Sequence, residues 1–359
     1  MSGEAPGPRR RSILVRLLLL VVLLAVLGAA AAGGTVWWAW QRFNAPGPLV
    51  ADTTLLLEQG DGLGTIASRL KAGGIISGDD PFGLGLLDDA TIFKLGVRYR
   101  ENHNRLKFGE YAIPARASMA EVMDLLVAGK VIQYGLTIPE GRTSAMIMRA
   151  VAADPVLVGD AGTLAPAEGS LLPETYLFTR GTTRAELIDR MADDHRKLAE
   201  ALWAKRKPGL PYDTLEQAVI LASIVEKETG VASERPQVAS VFVNRLRKGM
   251  RLQSDPTIIY GITGGEPLGR GIRRSELDRA TPYNTYIIDG LPPTPICNPG
   301  RASLEAVMNP PETDYLFFVA DGTGGHAFSV TLAEHERNVA RWREIERERA
   351  AAATRGSAE

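Results

Sequence analysis

The stretch Thr214–Met250, TLEQAVILASIVEKETGVASERPQVASVFVNRLRKGM, reads as two apolar helices joined by a short turn that gathers carboxylates. Thr214 and Gln217 stand in the T-x-x-Q relation of a capping box, so the first helix is expected to start there and run to about Thr229, with Gly230 as its C′ residue. At about 100° of rotation per residue, Glu228 lies roughly 20° from Leu221, 40° from Ile224 and 60° from Val225, and so projects from the apolar face. Glu226 falls roughly 160° away and is expected to look outward. A carboxylate among Leu and Ile side chains at a helix C-terminus is disfavoured as an anion by desolvation and by the negative end of the helix dipole. Such a group keeps its proton near neutral pH, the property required of a general acid at a glycosidic oxygen. Helix geometry alone leaves a structural role open, with Glu228 bonding Lys227, Arg235 or a backbone group in the turn.

Working outward, 359 residues leave room for one large or two modest domains. With 41 Lys and Arg against 42 Asp and Glu the chain is nearly neutral, which argues against nucleic acid as a partner. A single cysteine, Cys297, excludes an internal disulfide and a thiolate cage, and reads as a small buried side chain. Histidines at 103, 195, 326 and 335 are too scattered for a metal signature, and neither an H-E-x-x-H nor a P-loop occurs, so no metal and no cofactor are expected.

Arg9, Arg10, Arg11 and Arg16 precede an apolar run, Leu17–Trp40, of about 24 residues, enough to cross a bilayer as one helix. The basic flank is expected on the cytoplasmic side and Trp37, Trp38 and Trp40 at the far interface, which puts everything after Gln41 outside the cytoplasm. Ala29–Ala32 offers a small-residue cleavage site, so a removed signal peptide is the alternative, against which the aromatic cluster weighs.

Asn44–Leu49, NAPGPL, reads as a proline-rich linker. A strand at Thr53–Leu57, helices within Gly62–Gly73 and Ala90–Arg100, a strand at Gly109–Pro114 and a helix opened by a Ser118/Glu121 capping box and closed at Gly129 make a small α+β module, with a glycine-rich insert around Gly78–Leu87. A larger mixed α+β domain follows, with a strand at Val131–Pro139, a helix from Thr143 and a long helix Thr183–Lys207. A Gly/Ala/Pro-rich loop over Asp154–Ala167 leads into Glu168–Phe178, whose acidic and aromatic side chains read either as cleft or as packing residues. Beyond the two central helices, Gln253, Ser254, Asp255 and Thr257 concentrate short hydrogen-bonding groups suited to a sugar; Asp255 is alternatively the cap of the next helix, with Pro256 at N1. Tyr283, Asn284 and Tyr286 offer stacking faces and an amide, or else are buried packing residues. Gly290–Gly300 is expected to be a rigid irregular loop, Ser303 to begin a short helix, and Asp314–Ala320 with Ala327–Val330 to form a hairpin. A last helix, capped by Thr331 and Glu334, is expected to fray from about Arg349.

The strings ASIVEKET (222–229), VASVFVNRLRKGMRLQSDPTIIYG (238–261), TPYNTY (281–286), GLPPTPICNPG (290–300) and FVADGTGGHAFS (318–329), in that order, resemble the YceG-like (MltG) endolytic murein transglycosylases. The resemblance implies a cytoplasmic N-terminus 1–16, a membrane anchor 17–40, a linker 41–50, a LysM-like subdomain 51–130, a catalytic domain 131–345 and a tail 346–359. It implies Glu228 as the catalytic acid and then base, cleaving the bond between N-acetylmuramic acid and N-acetylglucosamine to leave 1,6-anhydro ends, and it implies cell-wall synthases as neighbours in the inner membrane. The loops around Gln253, Tyr283 and Asn298 are the expected groove walls, with Ser254, Asp255 and Asn284 as further sugar contacts. A silent, membrane-tethered glycan-binding scaffold and an ordinary muramidase remain as alternatives.

Overall fold

The computed structural model describes residues 8–77, 87–162 and 164–356, so most of the glycine-rich insert, residues 78–86, lies outside the described residues. The chain divides into two compact units, 1–133 and 134–359.

In the first unit a long helix α1 (Pro8–Asn44) is followed by β1 (Thr53–Leu57), α2 (Leu63–Ala72), α3 (Asp89–Tyr99), β2 (Gly109–Ile113) and α4 (Met119–Ala128). From Ile13 to Asn44, α1 is long and apolar enough to cross a membrane. β1 and β2 pair antiparallel, Thr53 opposite Ile113 and Leu57 opposite Gly109. Strand alternation sends Leu55 and Leu57 inward and Leu56 outward. They meet the helical stripes Ile66/Leu70, Phe93/Val97 and Val122/Met123/Leu126 in one core. Ser118 and Glu121 form the expected capping box, and Gly129 closes α4 in the left-handed conformation at φ +68°.

The segment read as a linker is bonded to the rest of the unit. Arg42 grips Asp89 with two hydrogen bonds of 2.9 Å, Gly47 N–H donates to Arg116 O, and Phe43 is fully buried. Gly96 is required there, because a Cβ at that position would overlap the Phe43 ring.

The second unit runs β3 (Tyr134–Thr137), α5 (Ser144–Ala153), β4 (Thr175–Phe178), α6 (Arg184–Ala204), α7 (Leu215–Glu228), α8 (Arg235–Arg247), α9 (Asp255–Thr263), α10 (Arg274–Leu277), α11 (Arg301–Met308), β5 (Phe317–Ala320), β6 (His326–Ser329) and α12 (Leu332–Gly356). The pairs β3/β4 and β5/β6 are antiparallel ribbons. Helix α7 is the axis of the unit: α6, α8, α9 and α11 all pack against it, and every residue from Ala218 to Glu226 is buried. That enclosure corrects the expectation for Glu226. A helix with neighbours on all sides has no outward face, and Glu226 instead accepts hydrogen bonds from Arg235 at 3.2 Å and Gly300 N–H at 3.0 Å.

Several boundaries also differ. Thr229, extended at φ −134°, ends α7, so Gly230 does not act as a left-handed terminator. α11 begins at Arg301 rather than Ser303, because Gly300 supplies the N-cap position. α12 is helical through Gly356.

Candidate active site

The capping box of Thr214 and Gln217 sets the phase of α7 and thereby delivers Glu228 to the helix's C-terminal end. Glu228 is part-buried there. The Ser254 hydroxyl donates to Glu228 Oε1. Burial raises the Glu228 pKa to about 7; the Ser254 hydrogen bond and the Arg245 guanidinium pull it down, and the charge of Asp255 pushes it up. Desolvation is the largest of these, so the side chain holds its proton close to neutral pH.

Ser254 occupies the N-cap of α9, with Asp255 and Pro256 in the first turn. This corrects the reading of Asp255 as the cap. The Ser254 hydroxyl makes no capping bond because it is turned to Glu228. Its backbone is held by a buried threonine pair: Ser254 N–H donates to Thr285 Oγ1 at 2.9 Å, and Thr257 Oγ1–H donates to Ser254 O at 2.6 Å. Gln253, exposed and at φ +53°, is fixed by its N–H to Thr285 O. Asp255 is exposed and accepts from the Tyr286 hydroxyl at 2.7 Å. Glu228, Gln253, Ser254, Asp255 and Tyr286 therefore form one continuous constellation.

The remaining expected contacts lie outside it. Asn284 is buried, with Nδ2 donating to Leu277 O and Arg279 O and Oδ1 accepting from Tyr286 N–H, so its amide organises the loop instead of facing a ligand. Asn298 is fully buried as well: it accepts from Leu171 N–H and donates to Arg142 O, the Ser144 hydroxyl and Glu168. These two placements correct the reading of Asn284 and Asn298 as sugar contacts, since neither has a free polar atom to offer. Tyr283 is half-buried, tilted against Tyr260 with ring centroids 5.0 Å apart and bonded through its hydroxyl to Thr294.

Arg245 was not singled out from the sequence. It is buried, donates Nη1 to Leu252 O at 2.8 Å and Nε to Leu316 O at 2.7 Å, and so clamps the segment leading to Gln253 and Ser254. A signal existed: Arg245 lies roughly 20° from Val238 on α8, in phase with the apolar stripe, where an arginine needs a buried task. A second carboxyl, Glu168, accepts from Ser144 N–H at 2.9 Å and is raised by burial, opposed by those hydrogen bonds. Among the described residues no group of His, Cys, Asp and Glu is arranged to hold a metal ion.

The sequence profile of the YceG-like family matches residues 55–341, four-fifths of the chain. The chain belongs to the YceG-like family. Among its relatives, the endolytic murein transglycosylase of Bacillus subtilis (strain 168) is 38% identical over 173 residues, covering 48% of this chain and 47% of the relative. The endolytic murein transglycosylase of Streptococcus pneumoniae serotype 2 is 31% identical over 304 residues, 71% of this chain and 54% of the relative. The chain spans about half the length of these relatives. A crystal structure of a yceG-like protein from Listeria monocytogenes is 28% identical, covers 80% of this chain and 98% of its own, and superposes with a TM-score of 0.48. The YceG-like match takes in both the small α+β unit and the whole constellation around Glu228.

Proposed function

We propose that this YceG-like protein is an endolytic peptidoglycan lytic transglycosylase that uses Glu228 first as acid and then as base. The observation that carries the reading is the Glu228 carboxyl hydrogen-bonded by Ser254 at the C-terminal end of the buried helix α7, where burial pushes its pKa up to about 7. The names of the relatives support the reaction class.

In the proposed reaction Glu228 gives its proton to the oxygen leaving toward C4 of N-acetylglucosamine as the C1–O bond of N-acetylmuramic acid breaks. The positive charge that develops at C1 is countered by the new Glu228 carboxylate and by Asp255 beside it. Glu228 then takes the proton of the muramyl C6 hydroxyl as that oxygen attacks C1, which closes a 1,6-anhydro ring and returns the acid form. No water is consumed. Gln253 and Asp255, both exposed, would meet the sugar's hydroxyl and amide groups and Tyr286 its flat face, while the buried Ser254 serves Glu228.

In the same reading the first unit is a LysM-like subdomain over about residues 51–130, supported by its strand–helix–helix–strand order and antiparallel strand pair. The catalytic domain covers about 131–345, and residues 17–40 are an uncleaved inner-membrane anchor with residues 1–16 in the cytoplasm, supported by the arginines before the apolar run. Cell-wall synthases as neighbours rest on family resemblance alone.

The test is the chemistry of the new glycan end. Full-length protein incubated with uncrosslinked glycan strands is expected to release anhydro-muramyl ends by mass spectrometry, and Glu228→Gln to abolish them while keeping the circular dichroism spectrum. Reducing muramic acid ends would make the protein a hydrolase. Full activity of Glu228→Gln, or binding without cleavage by the wild type, would overturn the assignment.

A further inference from the structure

Helix α3 carries a largely exposed face. Ile92, Phe93, Gly96 and Val97 point into the core, while Leu95 and Tyr99 stand 50% and 78% exposed, one helical turn apart. Lys94 and Arg98 run beside them, and among the described residues neither makes an ion pair. An apolar groove of about 620 Å³ joins this face to α1 through Val36, Trp37, Trp40, Leu95 and Tyr99. The Tyr99 ring meets the Trp40 ring edge-on at 5.6 Å, and the Arg100 guanidinium lies 5.5 Å from the Trp40 and Phe43 rings.

The depth of this face follows from α1. Counted from Arg16, about 20 residues cross a hydrocarbon layer of about 30 Å and end near Val36, so Trp37–Trp40 fall in the headgroup layer. Because the Arg42–Asp89 pair and the Phe43–Gly96 contact weld α3 to the same helix, α3 cannot float away from that depth. An aliphatic and a tyrosyl side chain flanked by two cations at headgroup level have the composition of an interfacial helix.

We propose that the α3 face Lys94, Leu95, Arg98 and Tyr99 seats the first unit on the non-cytoplasmic bilayer surface, with Leu95 and Tyr99 among the headgroups and Lys94 and Arg98 on phosphates of anionic phospholipids. The proposal rests on the anchor reading above. It makes the membrane the second surface of this unit and fixes the unit's height rather than leaving it on a tether.

Full-length protein carrying a fluorescent thiol label at Tyr99→Cys or at Leu95→Cys, reconstituted in vesicles of phosphatidylcholine and phosphatidylglycerol, tests it. The native Cys297 is buried and does not compete for label. A third label at Leu24→Cys reports the anchor. The expected result is strong quenching of the Tyr99 and Leu95 labels by headgroup nitroxide lipids, with shielding from aqueous iodide. Reversal of Lys94 and Arg98 to Glu is expected to lower the seated-to-detached ratio by about tenfold or more on the anionic vesicles. Lipid quenching at Leu24 with iodide-accessible labels at Tyr99 and Leu95 would overturn the seat and leave the anchor standing. Shielding from both quenchers would mean that protein, such as a second copy, covers the face, and would equally overturn it. Loss of lipid quenching at Leu24 would remove the anchor and the seat together.

Discussion

Ser254 and Asp255 act on Glu228 in opposite directions, and the sign of each is testable. The Ser254 hydroxyl stabilises the carboxylate, so Ser254→Ala is expected to raise the Glu228 pKa and move the alkaline limb of activity upward. Asp255 repels the carboxylate, so Asp255→Asn is expected to move the same limb downward, even where both variants also lose rate. Both follow from the pH dependence of kcat/KM. The raised pKa carries a stability consequence as well. The folded protein holds this proton more tightly than an ordinary glutamate with a pKa of 4.5, so Glu228 favours folding most below 4.5 and loses that contribution as the pH rises to about 7. Relative to its low-pH contribution, the charged group above that range costs roughly 3 kcal/mol. Glu228→Gln is therefore expected to be more stable than the wild type at pH 8 and nearly equal to it at pH 4, measured by denaturant unfolding at each pH.

At the level of elements, α7 works because the groups around its end are tied in place from several segments at once. Asn298 holds Leu171 N–H, Arg142 O, Ser144 and Glu168 together, so Asn298→Ala is expected to lower stability by about 2–4 kcal/mol with Leu171 N–H orphaned, and to lower kcat more than it raises KM. A selective rise in KM would restore it as a sugar contact. Gly96→Ala is expected to push Phe43 off α3 and destabilise the first unit by about 1–3 kcal/mol, read as a lower unfolding midpoint. The helix starts at Thr214 and Ser118 were legible because a capping box is a local pattern of hydrogen-bonding groups. Phase put Glu228 on the apolar side of the helix, where it is part-buried and bonded by Ser254. The burial of Glu226 was not legible, because phase ranks the faces of a helix without saying how many of them are covered. Strand β4 was hidden for a related reason: four residues, Thr175–Phe178, carry too short an alternation to separate pairing with β3 from irregular packing. Asn284 and Asn298 were misread because an amide beside prolines and tyrosines looks the same in sequence whether it faces a ligand or stitches loops together.

For the whole molecule, the proposed activity belongs to a chain whose two units each have their own core, and whose match spans about half the length of the curated relatives. An endolytic enzyme is expected to shorten long glycan strands progressively, with the mean fragment length falling before disaccharides accumulate; early disaccharide release on size-exclusion chromatography would mark an end-cutting enzyme instead. All of this depends on one carboxyl keeping its proton until a glycosidic oxygen is beside it. The direct measurement is a carbon-13 NMR titration of the Glu228 side-chain carboxyl, assigned by its loss in Glu228→Gln. A midpoint near 7 is expected, and a midpoint at or below the ordinary glutamate value of 4.5 would contradict the assignment.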